Sequence, residues 1–413
     1  MGKSLLFIEP FYGGSHRQFV DSLLRRSSWQ ITLVSMAPRF WRWRRRLSAF
    51  EIARRMNQEH RSPSGFDLVV VSDYVDIGDL KALWLPGAGS LPPVLWYCHE
   101  TQSTYPLPKG RTVEADVVAS DVRNALHADS IAFNSEFHRG AFLEVYQKHA
   151  ALLRRWEPEW SLEPLEYKTR VIYPGIECEE IVGGPGNAIG PAGRDAAGRD
   201  AAGRHAAGAP IILWNHRWEY DKNFGAFFRA VDRLARREVP FRLVILGENP
   251  QAKPQTFLRA RQELADRLET FGYAKDRATY LTWLARSDIV VSTAIQENFG
   301  IAVLEAMRAE CIPLLPRRLA YPEVLPERFH DACLFEDDDA LEAKLEEMLT
   351  EVARRKSEAR GAPAGESRRT GETTAGHGSG RFPTPEEVAR AAQRHCWDSR
   401  IREFDAWFDG AGR

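Results

Sequence analysis

The sequence predicts an α/β protein with two domains, each a doubly wound parallel sheet, whose strand ends face one cleft. Its 413 residues fit two domains of ordinary size. Short apolar segments alternate with helical segments in both halves, which is typical of parallel sheets covered by helices. A stretch rich in glycine, alanine and arginine separates the halves. Because ligands bind outside the carboxyl ends of such strands, functional residues should directly follow strands.

The first domain is predicted over residues 1–177. Strands are expected in "SLLFIEPF", "ITLV", "DLVVVS", "VLWYC" and "SIAFN", because each segment is short, apolar and bounded by polar or turn residues. Helical patterns lie between them, as in "RQFVDSLLRR" and "AFEIARRMN", and "TRVIYPGIE" closes the domain.

Residues 178–209 are predicted to be a flexible linker. The run from Gly183 to Pro210 contains GRDAA, GRDAA and GRHAA and has almost no large apolar side chain. Such a segment cannot bury enough surface to offset the entropy of ordering it.

The second domain is predicted over residues 210–353. Its expected strands are "PIILWNHR", "FRLVILGE", "DIVVSTA", "CIPLLP" and "ACLFED", and its helices are "NFGAFFRAVDRLARR", "TFLRARQELADRLETF", "TYLTWLARS" and "FGIAVLEAMRAE". Residues 354–384 are polar and predict a disordered low-complexity insert. Residues 385–413 carry apolar side chains at near-helical spacing, which predicts a C-terminal helix that returns toward the N-terminal domain.

Composition excludes several classes of protein. The net charge is −1, so no global field attracts nucleic acid or membrane. No stretch approaches the roughly 18 apolar residues of a membrane span, and "MGKSLLFIEPF" is too short for a signal peptide. We therefore expect a soluble cytoplasmic protein without stable membrane insertion. Five scattered cysteines without a CxxC pair argue against a disulfide scaffold, and we expect no metal.

Two glutamates flank a glycine after the predicted strand "DIVVST". Glu297 precedes Asn298, Phe299 and Gly300, and Glu305 lies about two turns into the next helix. A helix N-terminus attracts phosphate, glycine permits close approach, and a carboxylate accepts hydrogen bonds from sugar hydroxyls. The alternative is a capped surface helix with an ordinary glutamate.

Two cations follow the predicted strand "PIILWN". Arg217 and Lys222 are five residues apart, and such a pair can hold a diphosphate. The alternative is a solvated basic loop. Gly272 and Tyr273 follow "LETF" and suit either contact with a base or ribose or a simple turn.

The first domain has its own polar strand ends. Gly13 and Gly14 follow the first strand, where glycines allow an anion to approach, and His16 lies at the start of the next helix. His99 follows "VLWYC" and either faces a cleft or has a structural role.

Taken together, these motifs resemble the retaining GT-B glycosyltransferases, which have two Rossmann-like domains. The resemblance implies that a nucleotide-sugar binds mostly to the C-terminal domain. By this resemblance, Glu297 binds hydroxyls of the transferred sugar and Glu305 binds the ribose. The resemblance also assigns the diphosphate to Arg217 and Lys222, and places His99 beside the sugar.

A narrower resemblance covers most of the chain outside the two low-complexity stretches. "FIEPFYGGSHRQFVDSLL", "WYCHETQSTYP", "AFNSEFHRGAFL" and "LWNHRWEYDKN" are similar to the tRNA-queuosine mannosyltransferase family. This resemblance implies an N-terminal acceptor domain and transfer of mannose from GDP-mannose to queuosine at the anticodon of tRNA for aspartate. It implies no cofactor beyond that donor substrate. The Gly/Ala/Arg stretch departs from the family pattern.

One basic segment suits RNA. Aromatic side chains can stack on bases and arginines can contact phosphates. For this segment, binding to membrane lipid and a plain surface role remain alternatives. For the whole protein, two other functions remain open: a glycosyltransferase that uses another nucleotide-sugar and a lipid or small-molecule acceptor, and a non-catalytic binding module. The segment comprises Arg39, Trp41, Arg42, Trp43, Arg44, Arg45 and Arg46.

Overall fold

The computed structural model describes residues 3–84, 92–107, 110, 112–157, 164–181, 208–247, 255–361 and 381–411, with backbone alone at 359–361. The chain divides into two compact units, Met1–Ile176 with His395–Arg413, and Glu177–Arg394. Most of the predicted linker and of the predicted low-complexity insert lies outside the described residues.

The first unit contains a six-stranded parallel sheet in the order β2-β1-β3-β4-β5-β6. Its strands are β1 Ser4–Glu9, β2 Gln30–Ser35, β3 Leu68–Val71, β4 Val94–Cys98, β5 Ser130–Phe133 and β6 Thr169–Val171. Its helices are α1 Gly14–Arg26, α2 Trp41–Gln58, α3 Ile77–Trp84, α4 Ala115–His127, α5 Glu136–Trp156 and, from the end of the chain, α14 Trp397–Ala411.

The second unit contains another six-stranded parallel sheet, in the order β12-β11-β10-β7-β8-β9. Its strands are β7 Ile211–Asn215, β8 Arg242–Leu246, β9 Leu268–Gly272, β10 Ile289–Val291, β11 Ile312–Pro316 and β12 Leu334–Phe335. Its helices are α6 Phe224–Arg236, α7 Gln255–Glu263, α8 Arg277–Arg286, α9 Ile301–Arg308, α10 Tyr321–Val324, α11 His330–Cys333, α12 Asp338–Gly361 and α13 Pro385–Gln393.

Alternate side chains of β1 supply the two core layers of the first unit. Leu6 and Ile8 pack in the layer that also contains Ile52 of α2. Leu5 and Phe7 pack in the layer on the opposite face. This pattern follows from the period of two in a strand, and it explains why a strand buried on both faces has a continuous apolar sequence.

The end of the chain completes the second of these layers. Four aromatic side chains pack there against β1, α1 and β4, and the indole of Trp407 donates to Ser130 Oγ at 2.9 Å. The carboxyl end of β6 is joined to this segment, since Ile176 N–H donates to His395 O at 2.8 Å. The four aromatic residues are Trp397, Phe404, Trp407 and Phe408.

The predicted α/β class is confirmed, and three details of the prediction are wrong. The sequence predicts one helix that runs through "LETF", but the helix ends at Glu263. The residues after it form β9, at the edge of the sheet. The segment 385–413 forms two helices, α13 and α14, and only α14 belongs to the first unit. Residues 354–361, expected to be disordered, form the last turns of α12.

Each sheet has a point where the strand order reverses. In the first sheet β1 lies between β2 and β3, and in the second β7 lies between β8 and β10. The loops that follow such neighbouring strands diverge to opposite faces of the sheet and leave a crevice, where doubly wound proteins bind ligands. The predicted site residues should therefore gather after β1 and β3, and after β7 and β10.

Candidate functional site

The loops after β7 and β10 bring Lys222 and Glu297 together. A short 3-10 turn at Tyr220–Lys222 follows β7, and the ammonium of Lys222 lies 3.3 Å from Glu297 Oε2. The same ammonium donates to the carbonyl of Gln296 at 2.8 Å. The two loops thus meet at the reversal point of the second sheet, as the sequence predicts.

Asp221 is a third charged member of this group. Its carboxylate is buried, and Oδ2 lies 3.0 Å from the Lys222 ammonium. Its backbone carbonyl also accepts the N–H of Ile295 at 2.8 Å. Asp221 therefore holds the lysine electrostatically and fixes the loop that carries Glu297.

The charges of this group are maintained by one another. Burial alone would raise the pKa of Glu297, but the nearby Lys222 ammonium lowers it below its usual range. Burial would likewise lower the pKa of Lys222, but Glu297 and Asp221 raise it. Burial lowers the pKa of His216 to about 4, with Lys222 contributing. At neutral pH the site therefore presents an ammonium, a carboxylate and a neutral imidazole.

Glu297 also controls the start of α9. Gly300 has φ +97°, in the left-handed region that glycine adopts without strain, and its N–H donates to Glu297 Oε1 at 3.1 Å. The side chains of Asn298 and Phe299 are buried, and Asn298 Oδ1 accepts from Gln296. The loop backbone is thereby held beside the N-terminus of α9.

Glu305 lies inside a polar network at the middle of α9. Its buried carboxylate accepts from Arg277 Nη2 at 2.7 Å and from the hydroxyl of Tyr280 at 2.9 Å. Asn215, the last residue of β7, donates to that hydroxyl at 3.1 Å. The network links Glu305 to the strand that precedes Lys222.

Arg217 has a different environment from Lys222. Its side chain is exposed and pairs with Glu219 at 3.2 Å. It is nevertheless close enough to Lys222 for its charge to oppose the rise in the lysine pKa. The structure thus places both predicted cations in one electrostatic neighbourhood, one fixed and one at the surface.

Gly272 and Tyr273 follow a different strand from Lys222 and Glu297. Gly272 ends β9, the edge strand, and β8 lies between β9 and β7. Tyr273 is exposed. Gly272 O accepts the N–H of Gly247, the residue after β8, at 3.1 Å. This contact joins Gly272 to the loop after β8, and the role expected for the pair stays a prediction.

A second polar group follows β1 in the first unit. Gly13 and Gly14 begin α1, and a Cβ on Gly13 would lie 2.4 Å from Pro38 Cγ, so the turn requires glycine there. His16, in the first turn, lies with Nδ1 3.2 Å from Glu9 Oε2. Burial would lower the pKa of His16, but the Glu9 carboxylate and more distant acids raise it to about 9.

His99 follows β4 and contacts this group. Its ring centroid lies 4.3 Å from that of His16. Asp73, after β3, accepts the backbone N–H of His99 at 3.1 Å and that of Glu100 at 2.8 Å. Burial, together with the positive charge of His16, lowers the pKa of His99 well below its usual value. One imidazolium and one neutral imidazole therefore lie side by side.

The same residues are the candidates for a metal. Potential ligand atoms of Glu9, His16 and His99 all lie within 4.8 Å of one another. The positive charge of His16, 3.2 Å away, already balances the buried carboxylate of Glu9. The expectation that the protein uses no metal stays a prediction.

The basic segment comprises a residue just before α2 and the first turns of that helix. The prediction that it binds RNA is wrong for one of its members. Arg45 is buried and donates to Asp116 Oδ2 at 3.0 Å, so it is not available to RNA. Arg44 is half-buried and donates to Ala37 O at 3.4 Å, and Trp41 is half-buried near Tyr74. The exposed members are Arg39, Arg42, Trp43 and Arg46.

Sequence reasoning missed several residues of these groups. Asp221 and Arg277 support the two glutamates of the second unit, and Glu9 and Asp73 support the histidines of the first. Glu9 carried a usable signal, because it is a carboxylate at the end of an otherwise apolar strand. Arg277 carried none, since it is one of many arginines at a helix start.

Two family models match the chain. The model described as tRNA-queuosine alpha-mannosyltransferase N-terminal matches residues 4–176, and the model described as glycosyl transferases group 1 matches residues 200–364. A tRNA-queuosine alpha-mannosyltransferase of Drosophila melanogaster is 30% identical over 342 residues, which cover 83% of this chain and 85% of that protein. The chain belongs to the tRNA-queuosine alpha-mannosyltransferase family. This member of the family is a glycosyltransferase.

Solved structures confirm the GT-B fold of this family member. The sucrose-phosphate synthase of Thermosynechococcus elongatus superposes with a TM-score of 0.68 at 13% identity, over 99% of this chain and 98% of that one. A glycosyltransferase of Rickettsia africae superposes with a TM-score of 0.63 at 13% identity, over 99% and 98% of the two chains. Within the residues that the structure describes, no helix is both long enough and apolar enough to span a membrane.

Proposed function

We propose that this protein transfers mannose from GDP-mannose to queuosine in tRNA, with retention of the anomeric configuration. The observation that carries the proposal is the Lys222–Glu297 pair at the reversal point of the second sheet, in a chain of this family. Queuosine tRNA as acceptor is supported by the name of the Drosophila relative and of the family model over residues 4–176.

Lys222 and Arg217 are proposed to bind the diphosphate of the donor. The diphosphate gains negative charge as the sugar leaves, and fixed cations stabilise that charge most in the transition state. Lys222 suits this role because neighbouring carboxylates keep it protonated. Arg217 suits it because its guanidinium remains at the surface and its charge acts on the lysine.

Glu297 is proposed to bind hydroxyls of the transferred sugar. The carboxylate is ionised and faces the start of α9, where backbone N–H groups favour a phosphate. Asn298, Phe299 and Gly300 are proposed to shape this donor site through the loop backbone. Glu305 is proposed to bind the ribose and thereby orient the nucleoside.

Retention follows if the acceptor attacks the face from which the diphosphate leaves. The acceptor hydroxyl forms the new C–O bond while the sugar–phosphate bond breaks, and its proton passes to the departing phosphate oxygen. No carboxylate nucleophile is needed, so Glu297 acts through hydrogen bonds. The first unit is proposed to bind the acceptor, with Gly13, Gly14 and His16 forming a polar turn and His99 supplying a neutral imidazole to a hydroxyl.

The test is mass spectrometry of tRNA nucleosides after incubation with a panel of nucleotide-sugars. Purified protein should add one hexose to queuosine of tRNA for aspartate with GDP-mannose and leave tRNA lacking queuosine unchanged. Arg217→Ala should reduce the rate by about 100- to 1000-fold while the protein stays folded. Transfer only from another nucleotide-sugar, or only to a lipid or small molecule, would overturn the proposal.

A further inference from the structure

The outward face of α2 presents a stripe of large apolar side chains. The stripe consists of Phe40, Trp43, Leu47 and Phe50, which are 70%, 62%, 50% and 48% exposed. Steps of four and three residues place Trp43, Leu47 and Phe50 on one side of the helix, and Phe40 directly precedes its first residue. The opposite side already packs in the core through Ala49, Ile52, Ala53 and Met56.

Between 48% and 70% of each of these four side chains remains exposed in the folded first unit. Large apolar side chains grouped on a surface mark interaction sites, whereas single exposed ones are ordinary. Phe40 adds a second observation, because it precedes the helix with φ 57° and ψ 49°. Bulky residues rarely adopt this left-handed conformation, which strains the backbone and here accompanies a phenyl ring directed to solvent.

The N-terminal end of the stripe is positively charged. Arg39 and Arg42 are exposed, and their guanidinium groups lie over the rings of Phe40 and Trp41 at 6.0 and 4.9 Å. The first turn of α2 has no acidic residue, and no side chain caps it. The positive end of the helix dipole therefore adds to the two arginines.

Two further arginines near the stripe pair with acids. Arg46 lies 3.3 Å from Asp116, and Arg54 pairs with Glu51 at 2.8 Å. The excess positive charge is thus concentrated at one end, and the remainder of the stripe is aromatic and aliphatic. This polarity suits a ligand that combines anionic groups with flat apolar ones.

We infer that the α2 stripe docks a single-stranded loop of the RNA acceptor, with bases on Trp43 and its apolar neighbours and phosphates at Arg39 and Arg42. This inference rests on the proposed function, because the family supplies tRNA as the acceptor. Unstacked loop bases bind to aromatic side chains, and their phosphates bind arginines. The excess positive charge lies at one end of the stripe and not along a polar face beside it, which favours RNA over a lipid surface, where a basic face runs along the apolar one.

The experiment measures binding of a fluorescent anticodon stem-loop RNA to the full-length protein. The test variant is Trp43→Ala with Leu47→Ala. The matched control is Trp156→Ala with Leu152→Ala, an exposed pair with the same spacing at the C-terminal end of α5. The test variant should weaken binding at least about tenfold, and the control should not. Equal binding by wild type and test variant would overturn the inference.

Two further measurements distinguish RNA from anionic lipid as the ligand of the stripe. Arg42→Gln should lower the salt dependence of RNA binding by about one phosphate contact, whereas the Trp43 and Leu47 changes should leave that slope unaltered. If the test variant loses binding to anionic phospholipid vesicles and keeps its RNA binding, the ligand is lipid and the inference is wrong. Far-ultraviolet circular dichroism checks that each variant is folded.

The proposed function fails separately. If wild-type protein mannosylates queuosine tRNA and the test variant has the same KM for tRNA, only the stripe inference is wrong. If wild-type protein transfers no sugar to tRNA, the proposed function is wrong. In that case the RNA-binding measurement alone tests the inference about the stripe, and loss of RNA binding in the test variant supports that inference.

Discussion

Lys222→Met should destabilise the second unit strongly, because it leaves two carboxylates without their cation. The lysine ammonium lies 3.0 Å from Asp221 and 3.3 Å from Glu297, and Asp221 is buried. Removing one partner of a buried ion pair costs about 3–5 kcal/mol, a large part of the usual 5–15 kcal/mol stability. The transfer rate should fall by about 100- to 1000-fold as the diphosphate loses this cation.

A double-mutant cycle identifies the cause. Asp221→Asn removes one of the two carboxylates that Lys222→Met leaves without a cation. The double variant Asp221→Asn/Lys222→Met should therefore lose less stability than the sum of the losses in the two single variants. The expected difference is about 1–3 kcal/mol, the range for residues in direct contact. Activity should stay low in the double variant, because the cation is still absent.

The assay is amide hydrogen exchange of β7, which precedes the lysine and reports opening of its own sheet. Lys148→Met is the control, since Lys148 forms an exposed pair with Glu144 on α5 and its loss should leave exchange of β7 unchanged. If the effects of Asp221→Asn and Lys222→Met add within about 0.5 kcal/mol, the two side chains are energetically independent and the argument is wrong.

Three other predictions concern separate parts of the molecule. The raised pKa of His16, about 9, contributes stability that is complete below about pH 6.5 and lost as pH rises through 9. Urea unfolding of wild type and His16→Gln should therefore differ by up to about 3 kcal/mol at pH 6 and converge above pH 9. Gly247→Ala should lower Tm sharply, because the added Cβ would lie 2.0 Å from His216 O and the residue has φ +121°. The control is Gly140→Ala, in open space on a helix, which should raise the free energy of unfolding by about 0.5–1 kcal/mol. Glu305→Gln should raise KM for the nucleotide-sugar donor at least about tenfold in initial-rate measurements, because a charged hydrogen bond is lost. An unchanged KM would remove Glu305 from the proposed donor site.

Strands buried on both faces were predictable, and an edge strand was not. β4 coincides with the apolar run "VLWYC", all of whose residues are buried. β9 has the sequence LETFG, and its residues are only half-buried because it pairs on one side. Leucine and glutamate there continue the helical pattern before them, so local sequence favoured a longer helix. Pairing with β8 overrides that preference.

The predicted strand ends located Lys222 and Glu297 in the second unit, but they did not identify Asp221 as the residue that holds the lysine. Lys222 and Glu297 follow strands β7 and β10, which the apolar pattern located. Asp221 resembles any surface acid in sequence, and only the meeting of two distant loops buries it. Tertiary contact therefore decided which neighbouring charge supports the lysine.

Helical periodicity could have corrected one RNA-binding assignment. Arg45 lies four and seven residues before Ala49 and Ile52, which face the core. That spacing places Arg45 on the inner side of α2, and its partner Asp116 comes from the start of α4. Composition alone grouped it with Arg42 and Arg46, which the helix turns outward.

The packing of α14 has a consequence for synthesis on the ribosome. The first unit draws Trp397, Phe404, Trp407 and Phe408 into a core layer whose other members come from the beginning of the chain. When residue 176 emerges, the aromatic surface formed by Phe19 and Tyr97 is still uncovered. The second unit, contiguous over Glu177–Arg394, can finish folding first. The core layer of the first unit is therefore completed only after α14 has been translated.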